Sequence, residues 1–344
     1  MRTKRIGRAA FVRAACLCGC LLLFSAAFAA PPKPLQIYFI DVEGGQATLL
    51  VSPSGKSVLI DTGWAGDRDA ERIVSAAKAA GLKQLDYVVI THFHQDHVGG
   101  AADLFSRMKV AAFVDHGSDS ENSDDAKNLY SNYEKAIKGV TRVIAKPGEG
   151  LPLTDVKLEF VAAGGERIAD PLPGAGEANQ YCFSEAPPPD DASENSQSIG
   201  LLVTYGKFRF LDLGDLTKVK EMGLVCPNNL LGTVGLYLAT HHGGYPDNPR
   251  ALVWALHPAV AITNNGAHKG GNPDAWQIIH ESPGLADLWQ LHYAADSDSK
   301  HNVGENFIAN VDERSDGHWI EVTAKPDGEF TVTNSRNEYS KGYR

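Results

Sequence analysis

Thr91-His92-Phe93-His94-Gln95-Asp96-His97-Val98-Gly99-Gly100 follows an apolar run, Leu85 to Ile90, and closes on a glycine pair. A short apolar run bounded by a turn reads as an inner strand, so the polar residues after it stand on the rim of a sheet. Extended residues two apart point to the same side, so His92 and His94 can grip one ion together. The chain then turns, and Asp96 and His97 can face a second ion beside it. Imidazole and carboxylate are borderline to hard ligands, a set that suits zinc and also manganese or iron.

Upstream, Leu35 to Val42, Ala47 to Val51 and Ser57 to Ile60 read as strands, broken by Glu43-Gly44-Gly45-Gln46 and Ser52-Pro53-Ser54-Gly55. Hairpins at this point argue against a dinucleotide-binding start. Ile37, Phe39 and Asp41 fall on one side of the first strand. Asp61-Thr62-Gly63 ends the third, where an aspartate can orient the histidine cluster by hydrogen bonding. Asp67 to Ala80 is helical by the spacing of Ile73, Val74 and Ala77, with Gly81 as its stop. After Gly100 a helix runs through Phe105, and Val110 to Val114 is a strand closed by Asp115-His116-Gly117. His116 can line the pocket as a proton donor or substrate contact. Asp124 to Ile137 is a helix with Leu129, Tyr130, Tyr133 and Ile137 as its apolar stripe.

The second half repeats the alternation. Val156 to Ala162 is a strand, followed by a polar, proline-rich excursion over 164–198 that is expected to be a mobile insertion. Ile199 to Tyr205 and Lys207 to Leu213 form a hairpin turning at Gly206, with Gly214-Asp215 at its end. A carboxylate has two oxygens, so Asp215 can bridge two cations, whereas Asp212 alternates away. Val219 to Leu224 is a short helix. Leu236 to Thr240 is a strand ending at His241-His242-Gly243-Gly244. Adjacent residues at an extended strand end point to opposite sides, so one histidine can ligate while the other faces substrate. Asn248 to Leu256 and Asp274 to His280 are helices, and Ala259 to Ile262 is a buried strand ending in Asn264-Asn265-Gly266-Ala267-His268. Leu288 to Tyr293 and Glu305 to Val311 are strands, and His318 to Ala324 with Glu329 to Thr333 make a terminal hairpin. No internal linker interrupts residues 30–344, which read as one layered α/β domain.

Residues 1–29 read as a secretory signal peptide: a basic start, an apolar core from Leu21 to Phe28, and Ala27-Phe28-Ala29 at the cleavage spacing. A retained signal anchor is the alternative. Cleavage would carry away Cys16, Cys18 and Cys20 and leave a periplasmic or secreted protein with no membrane segment, because no second apolar run approaches spanning length. It also moves the formal charge from −10 to −15. An acidic chain argues against stable nucleic-acid binding, which leans on lysine and arginine, and is compatible with a small phosphorylated substrate. Cys182 and Cys226 remain, either as a disulfide or as two separate buried thiols.

His92-x-His94-x-Asp96-His97 resembles the signature of the metallo-β-lactamase fold superfamily. Within it the chain resembles the hydrolase domain of bacterial competence DNA-uptake channel proteins and their stand-alone exported relatives. The stretches that carry this are Ile40-Asp41-Val42-Glu43-Gly44-Gly45, Leu59-Ile60-Asp61-Thr62-Gly63, Gly214-Asp215, Ala239-Thr240-His241-His242-Gly243-Gly244, and Ile262 to Pro273. The resemblance implies a four-layer αβ/βα sandwich with two metal ions, zinc first and manganese or iron as alternatives. By position, His92 and His94 would bind the first ion, Asp96 and His97 the second, and Asp215 would bridge. His242 would complete the set, with His241 as the alternative, and Asp61 would support it from behind. Asn264, Asn265 and His268 lie in the segment that would close the site. The chain departs from the superfamily between His97 and Asp215, where it has no glycine-histidine ligand, His116 coming too early. Glu43 and Gln46 stand where that branch commonly reads glycine and aspartate, and Gly271-Asn272-Pro273 lacks a histidine before the proline.

The implied activity is metal-dependent hydrolysis, first of a phosphodiester or related phosphate ester. Lactone, carboxylic ester or β-lactam hydrolysis comes second, and a non-catalytic secreted binding protein third. Two cations sharing a water lower its pKa from ~16 toward ~7. Asp96 can orient that nucleophile, and His241 or His268 can donate to the developing oxyanion or leaving group, a role worth ~10² to 10⁴ in rate.

Overall fold

The computed structural model describes Met1 and residues 33–183, 186 and 188–344. Apart from Met1, the expected signal peptide falls outside the described residues. The first sheet opens with β1 (Leu35–Phe39), β2 (Thr48–Val51), β3 (Ser57–Ile60), β4 (Gln84–Val89), β5 (Lys109–Asp115) and β6 (Thr141–Ile144). The chain then builds the second sheet from β7 (Gly150–Leu151), β8 (Lys157–Ala163), β9 (Glu166–Arg167), β10 (Gly200–Tyr205), β11 (Phe208–Asp212), β12 (Leu236–Leu238), β13 (Val260–Thr263), β14 (Asp287–His292) and β15 (Ile308–Asn310). It returns to the first sheet with β16 (Ile320–Ala324), β17 (Phe330–Asn334) and β18 (Ser340–Tyr343). The orders are β18-β17-β16-β1-β2-β3-β4-β5-β6 and β15-β14-β13-β12-β11-β10-β8-β7, with β9 on β8. β3 through β6 pair in parallel, as do β11 through β15, while the other pairs are antiparallel.

Strand alternation decides the layers, because successive side chains point to opposite faces. In β1, Leu35, Ile37 and Phe39 join Leu201, Val203, Phe208 and Phe210 of the other sheet in the central core. Tyr38 and Ile40 face outward onto Ile73, Val74 and Ala77 of α1 (Asp67–Ala79). α2 (Gln95–Val98), α3 (Ala101–Arg107) and α4 (Asp124–Ala136) complete that outer layer. On the far side α5 (Lys218–Val225), α6 (Arg250–Leu256) and α7 (Pro273–His280) cover the outward residues of the second sheet, Leu202, Leu211 and Tyr237 among them. The result is the four-layer αβ/βα sandwich.

The structure adds to or alters the sequence reading at four places. β6 is mostly exposed and β18 alternates exposed with half-buried residues, so neither shows an apolar alternation in sequence. Glu305 to Val311 divides into a 3-10 turn, Glu305–Phe307, and the short β15. α6 starts at Arg250 because Asn248 has a left-handed φ of 63° and Pro249 caps the helix. Of the two readings of the cysteines, the disulfide is the one formed: Cys182 and Cys226 are bonded, 44 residues apart. It ties the chain at Cys182, between β9 and β10, to the end of α5.

Candidate metal centre

β3, β4 and β5 run parallel, and so do β11, β12 and β13, so the loops after each set leave the same end of their sheet. Asp61 follows β3 and the histidine stretch follows β4. Asp215, His241 with His242, and Asn264 follow β11, β12 and β13. Gly214, at φ 56°, lets the two groups of loops meet, since a Cβ there would stand 2.9 Å from Thr91 Cβ.

His97 Nε2 lies 3.3 Å from Asp96 Oδ2, from Asp215 Oδ2 and from His242 Nε2. His242 Nε2 lies 3.2 Å from Asp96 Oδ2 and 3.5 Å from Asp215 Oδ1. Asp96, His97, Asp215 and His242 are all buried, and their ligand atoms lie within 4.8 Å of one another. Beside them, His92 Nε2 faces His94 Nδ1 at 3.1 Å and Asp215 Oδ2 at 3.9 Å. Asp215 therefore touches both groups.

The far nitrogens show how the rings are set. Asp61 Oδ2 accepts from His97 Nδ1 and from Thr91 Oγ1, each at 2.7 Å. With that hydroxyl proton committed, His92 Nδ1 donates to Thr91 Oγ1 at 3.1 Å. His94 Nε2 donates to Glu121 Oε1 at 3.3 Å, and His241 Nδ1 to Asp247 Oδ2 at 2.7 Å. Such contacts choose the tautomer and aim the other nitrogen inward. Asn248 fixes the last turn: its Oδ1 accepts from Thr240 N at 2.9 Å, and its Nδ2 donates to Thr240 O and Gly244 O.

His241 and His242 do not point to opposite sides. Both are left-handed, at φ 54° and 56°, inside a 3-10 turn over Thr240–Gly243. That curvature brings both rings to Asp215, with His241 Nε2 3.4 Å from Asp215 Oδ2. Glu43 and Asp61 also have positive φ. Non-glycine residues held there are strained, and strain of this kind collects at functional sites.

Other expected residues fall elsewhere. His116 has a side chain only 2% exposed and donates to Glu194 Oε1 at 2.7 Å, so it is walled off rather than lining a pocket. Asn265 is a structural clamp, donating to Gly266 O and His292 O. Asn264 is buried behind the centre, reaching Gln46 Oε1 at 3.5 Å. Gln46 in turn donates to both oxygens of Asp212. Burial pushes Asp212 up to about 7, against the hydrogen bonds from Gly214 N and Gln46. His268 is not brought into the centre. Its side chain is 59% exposed and pairs with Asp296 and Glu313. The next residue takes the place expected of it: Lys269 Nζ contacts Asp96 Oδ2 and sits 5.0 Å from the Trp64 ring centre. Gly44 makes room, since a Cβ there would come within 2.7 Å of Lys269 Cβ.

Sequence reasoning missed Lys269, Glu121, Asp247, Asn248 and Glu194. Asp247 and Asn248 follow the histidine pair closely, and that proximity was the signal available. The others come from polar loops with no spacing of their own.

The residue set fits a cation. Asp215 Oδ1 is buried with no hydrogen-bond donor, which is costly unless a positive charge satisfies it. Burial alone would lower His97, yet Asp215, Asp96 and Asp61 hold it well above the usual histidine range. Burial would raise Asp96 and Asp215, yet His97 and His242 hold both well below the usual carboxylate range. The carboxylates thus give the pocket a negative potential that favours a cation. Among the deeper groups His92, His97 and His242 have side chains 0% exposed, whereas His94, His241 and Lys269 are 33%, 34% and 36% exposed and form the mouth.

Residues 40–182 match the family model of the metallo-β-lactamase superfamily. ComE operon protein 3 of Bacillus subtilis is 26% identical over 248 residues, which cover 67% of this chain and 28% of that protein. Ribonuclease Z of Bradyrhizobium diazoefficiens is 39% identical over 66 residues, 19% of this chain and 20% of its own. Hydroxyacylglutathione hydrolase of Acidiphilium cryptum is 41% identical over 59 residues, 17% of this chain and 22% of its own. The matched part of the chain thus spans less than a third of each of these relatives. The four-layer sandwich and the ligand cluster after β4, β11 and β12 agree with that match, which shows that residues 40–182 belong to a metallo-β-lactamase superfamily domain.

Proposed function

We propose that this chain is an exported metal-dependent hydrolase acting on a small phosphodiester or related phosphate ester. The observation that carries the reading is the convergence of Asp96, His97, Asp215 and His242, with Lys269 Nζ against Asp96. Those four residues would hold one ion, and His92 and His94 with Asp215 would hold another, zinc first and manganese or iron as alternatives. A metal pair there supplies hydroxide near neutral pH and offsets negative charge in the transition state.

The chain's own residues do the rest. Lys269 adds a fixed positive charge at the mouth and favours an anionic group over a neutral ester. Its cation lies over the Trp64 ring, which helps to hold it at the mouth. His241 is held by Asp247 and raised above its usual pKa: burial opposes this, and Asp247 and Asp215 overcome it. A proton on His241 would stand at the mouth, where a leaving oxygen needs one. Two of the three relatives, ribonuclease Z and hydroxyacylglutathione hydrolase, carry the names of hydrolases, and a ribonuclease acts on phosphodiesters. The acidic balance of the chain counts against a long polyanion as substrate. Export is supported by the basic and apolar start of the sequence and by a disulfide suited to an oxidising compartment. Among the described residues no helix is long and apolar enough to cross a membrane.

Metal analysis of the mature protein with a hydrolase panel tests this. The expected result is about two ions per chain and turnover of bis(p-nitrophenyl) phosphate. Lys269→Met should raise KM for that anionic diester more than for a neutral lactone. Turnover confined to lactones or β-lactams would replace the phosphate-ester reading. Uptake of fewer than about one ion per chain would remove the metal reading.

A further inference from the structure

The polar segment that leads into β10 crosses the strand end carrying His92 and His94. Ile199 N donates to Thr91 O at 2.9 Å. Glu194 Oε1 accepts from Phe93 N at 2.9 Å and from His116 Nε2 at 2.7 Å. Its Oε2 accepts from Ser120 N at 2.9 Å and from Ser120 Oγ at 2.7 Å. Thr91 and Phe93 flank His92, and Phe93 precedes His94. Ser120 precedes Glu121, which holds His94 Nε2. One carboxylate therefore reaches the backbone between the two histidines and also the loop that orients the second. Glu194 has a side chain 1% exposed. Burial would raise it, yet His116, Ser120 and Phe93 hold it well below the usual carboxylate range.

We propose that Glu194 is a positioning residue for the His92–His94 half of the metal centre, so that this one side chain sets how tightly that half takes up an ion. The proposal rests on the two-ion reading above. β4 ends at Val89, so the backbone from Thr91 to His94 lies beyond the sheet ladder and needs other partners. A charge-assisted acceptor on Phe93 N supplies one. Without it, an ion must itself order two imidazoles and the chain between them, at a cost in binding. The other half is held by different groups, Asp61 behind His97 and Asn248 behind the His242 turn. Among the described residues Glu194 bonds to none of that half.

Glu194→Gln keeps the shape and removes the charge. The readout is stepwise zinc uptake by calorimetry, with the step lost in His94→Ala identifying the half concerned. We expect that step to weaken ~10- to 100-fold in Glu194→Gln, as when a ligand's outer partner is removed, while the other step keeps its affinity. Both steps unchanged would overturn the proposal. Both weakening together with a fall in Tm would also overturn it, because that is the mark of a general structural role. Should Glu194→Gln not fold, Ser120→Ala removes a single hydroxyl from the same carboxylate. A smaller loss confined to the same step is then expected, and no loss there overturns the proposal. Wild-type protein binding one ion would overturn the two-ion reading itself and this proposal with it. Wild-type protein binding two ions, with an indifferent Glu194→Gln, would overturn the proposal alone.

Discussion

His97 Nε2 and His242 Nε2 stand 3.3 Å apart although 145 residues separate them in the chain. Asp61 accepts the Nδ1–H of His97, which turns Nε2 of the ring toward its partner. His92 Nε2 and His94 Nδ1 repeat the arrangement at 3.1 Å, with their other nitrogens turned to Thr91 and Glu121. Facing lone pairs repel unless a proton or a cation lies between them. The fold therefore holds two such gaps, joined by Asp215.

Asp61→Asn should weaken metal binding without removing a ligand. An amide can turn an N–H toward His97 and favour the tautomer whose lone pair points away from the centre. The expected loss is ~10- to 100-fold in affinity, read by competition with a coloured chelator. Unchanged affinity would show that Asp61 does not set the ring.

His241→Ala should lower kcat by ~10² to 10⁴ if His241 is the proton donor. Asp247→Asn should lose part of that and shift the alkaline limb of the pH–rate profile to lower pH, because Asp247 raises His241. His268→Ala should leave the rate unchanged, since its ring pairs with Asp296 and Glu313 at the surface. A slow His268→Ala with an unaffected His241→Ala would reverse these assignments.

Asp41 joins the two sheets. It accepts from His292 Nε2 at 2.7 Å and from Arg72 Nη1 at 2.9 Å, with its own side chain fully buried. Burial would raise its pKa, but His292 and Arg72 hold it below the ordinary carboxylate value. An acid with a lowered folded pKa stabilises the fold above its unfolded pKa, and that contribution is lost as the pH falls toward the folded value. Urea midpoints should therefore drop below about pH 4 in wild-type protein. Asp41→Asn should lose ~3–5 kcal/mol near neutral pH, since it leaves buried partners uncompensated, and should lack that share of the acid slope. An identical slope in the variant would place the acid sensitivity elsewhere.

Reducing the Cys182–Cys226 disulfide should lower stability by up to ~4 kcal/mol, the chain-entropy value for a loop of this length. Urea unfolding with and without dithiothreitol reads the change, and the same midpoint in both would show that the bond restrains little.

Much of the centre was legible because metal ligands need particular residue types at strand ends. The spacing of His92, His94, Asp96 and His97 after an apolar run, with glycine beside Asp215 and His242, marks such positions. The supporting groups were less legible, since Glu121, Asp247 and Glu194 are common residues in polar loops and gain meaning only from what they face. His268 and Lys269 show the limit well. In sequence the histidine is the more chemical residue, but the turn around Gly266 sends it to solvent and carries Lys269 across Gly44 to Asp96. His241 and His242 show another, because alternation assumes extended backbone and two left-handed residues abolish it.

By itself the sequence determined the alternation of strands and helices, the strand-end placement of His92 to His97, and the residue types able to meet a cation. These follow from local periodicity and ligand chemistry, which need no knowledge of distant neighbours. Tertiary structure alone decided that both histidines of the later pair reach Asp215, that Lys269 and not His268 stands at the mouth, and that Glu194 closes over Phe93. Each of those depends on the curvature of a turn or on a carboxylate meeting a backbone N–H many residues away, and neither is set until two sheets pack and bring their strand ends together.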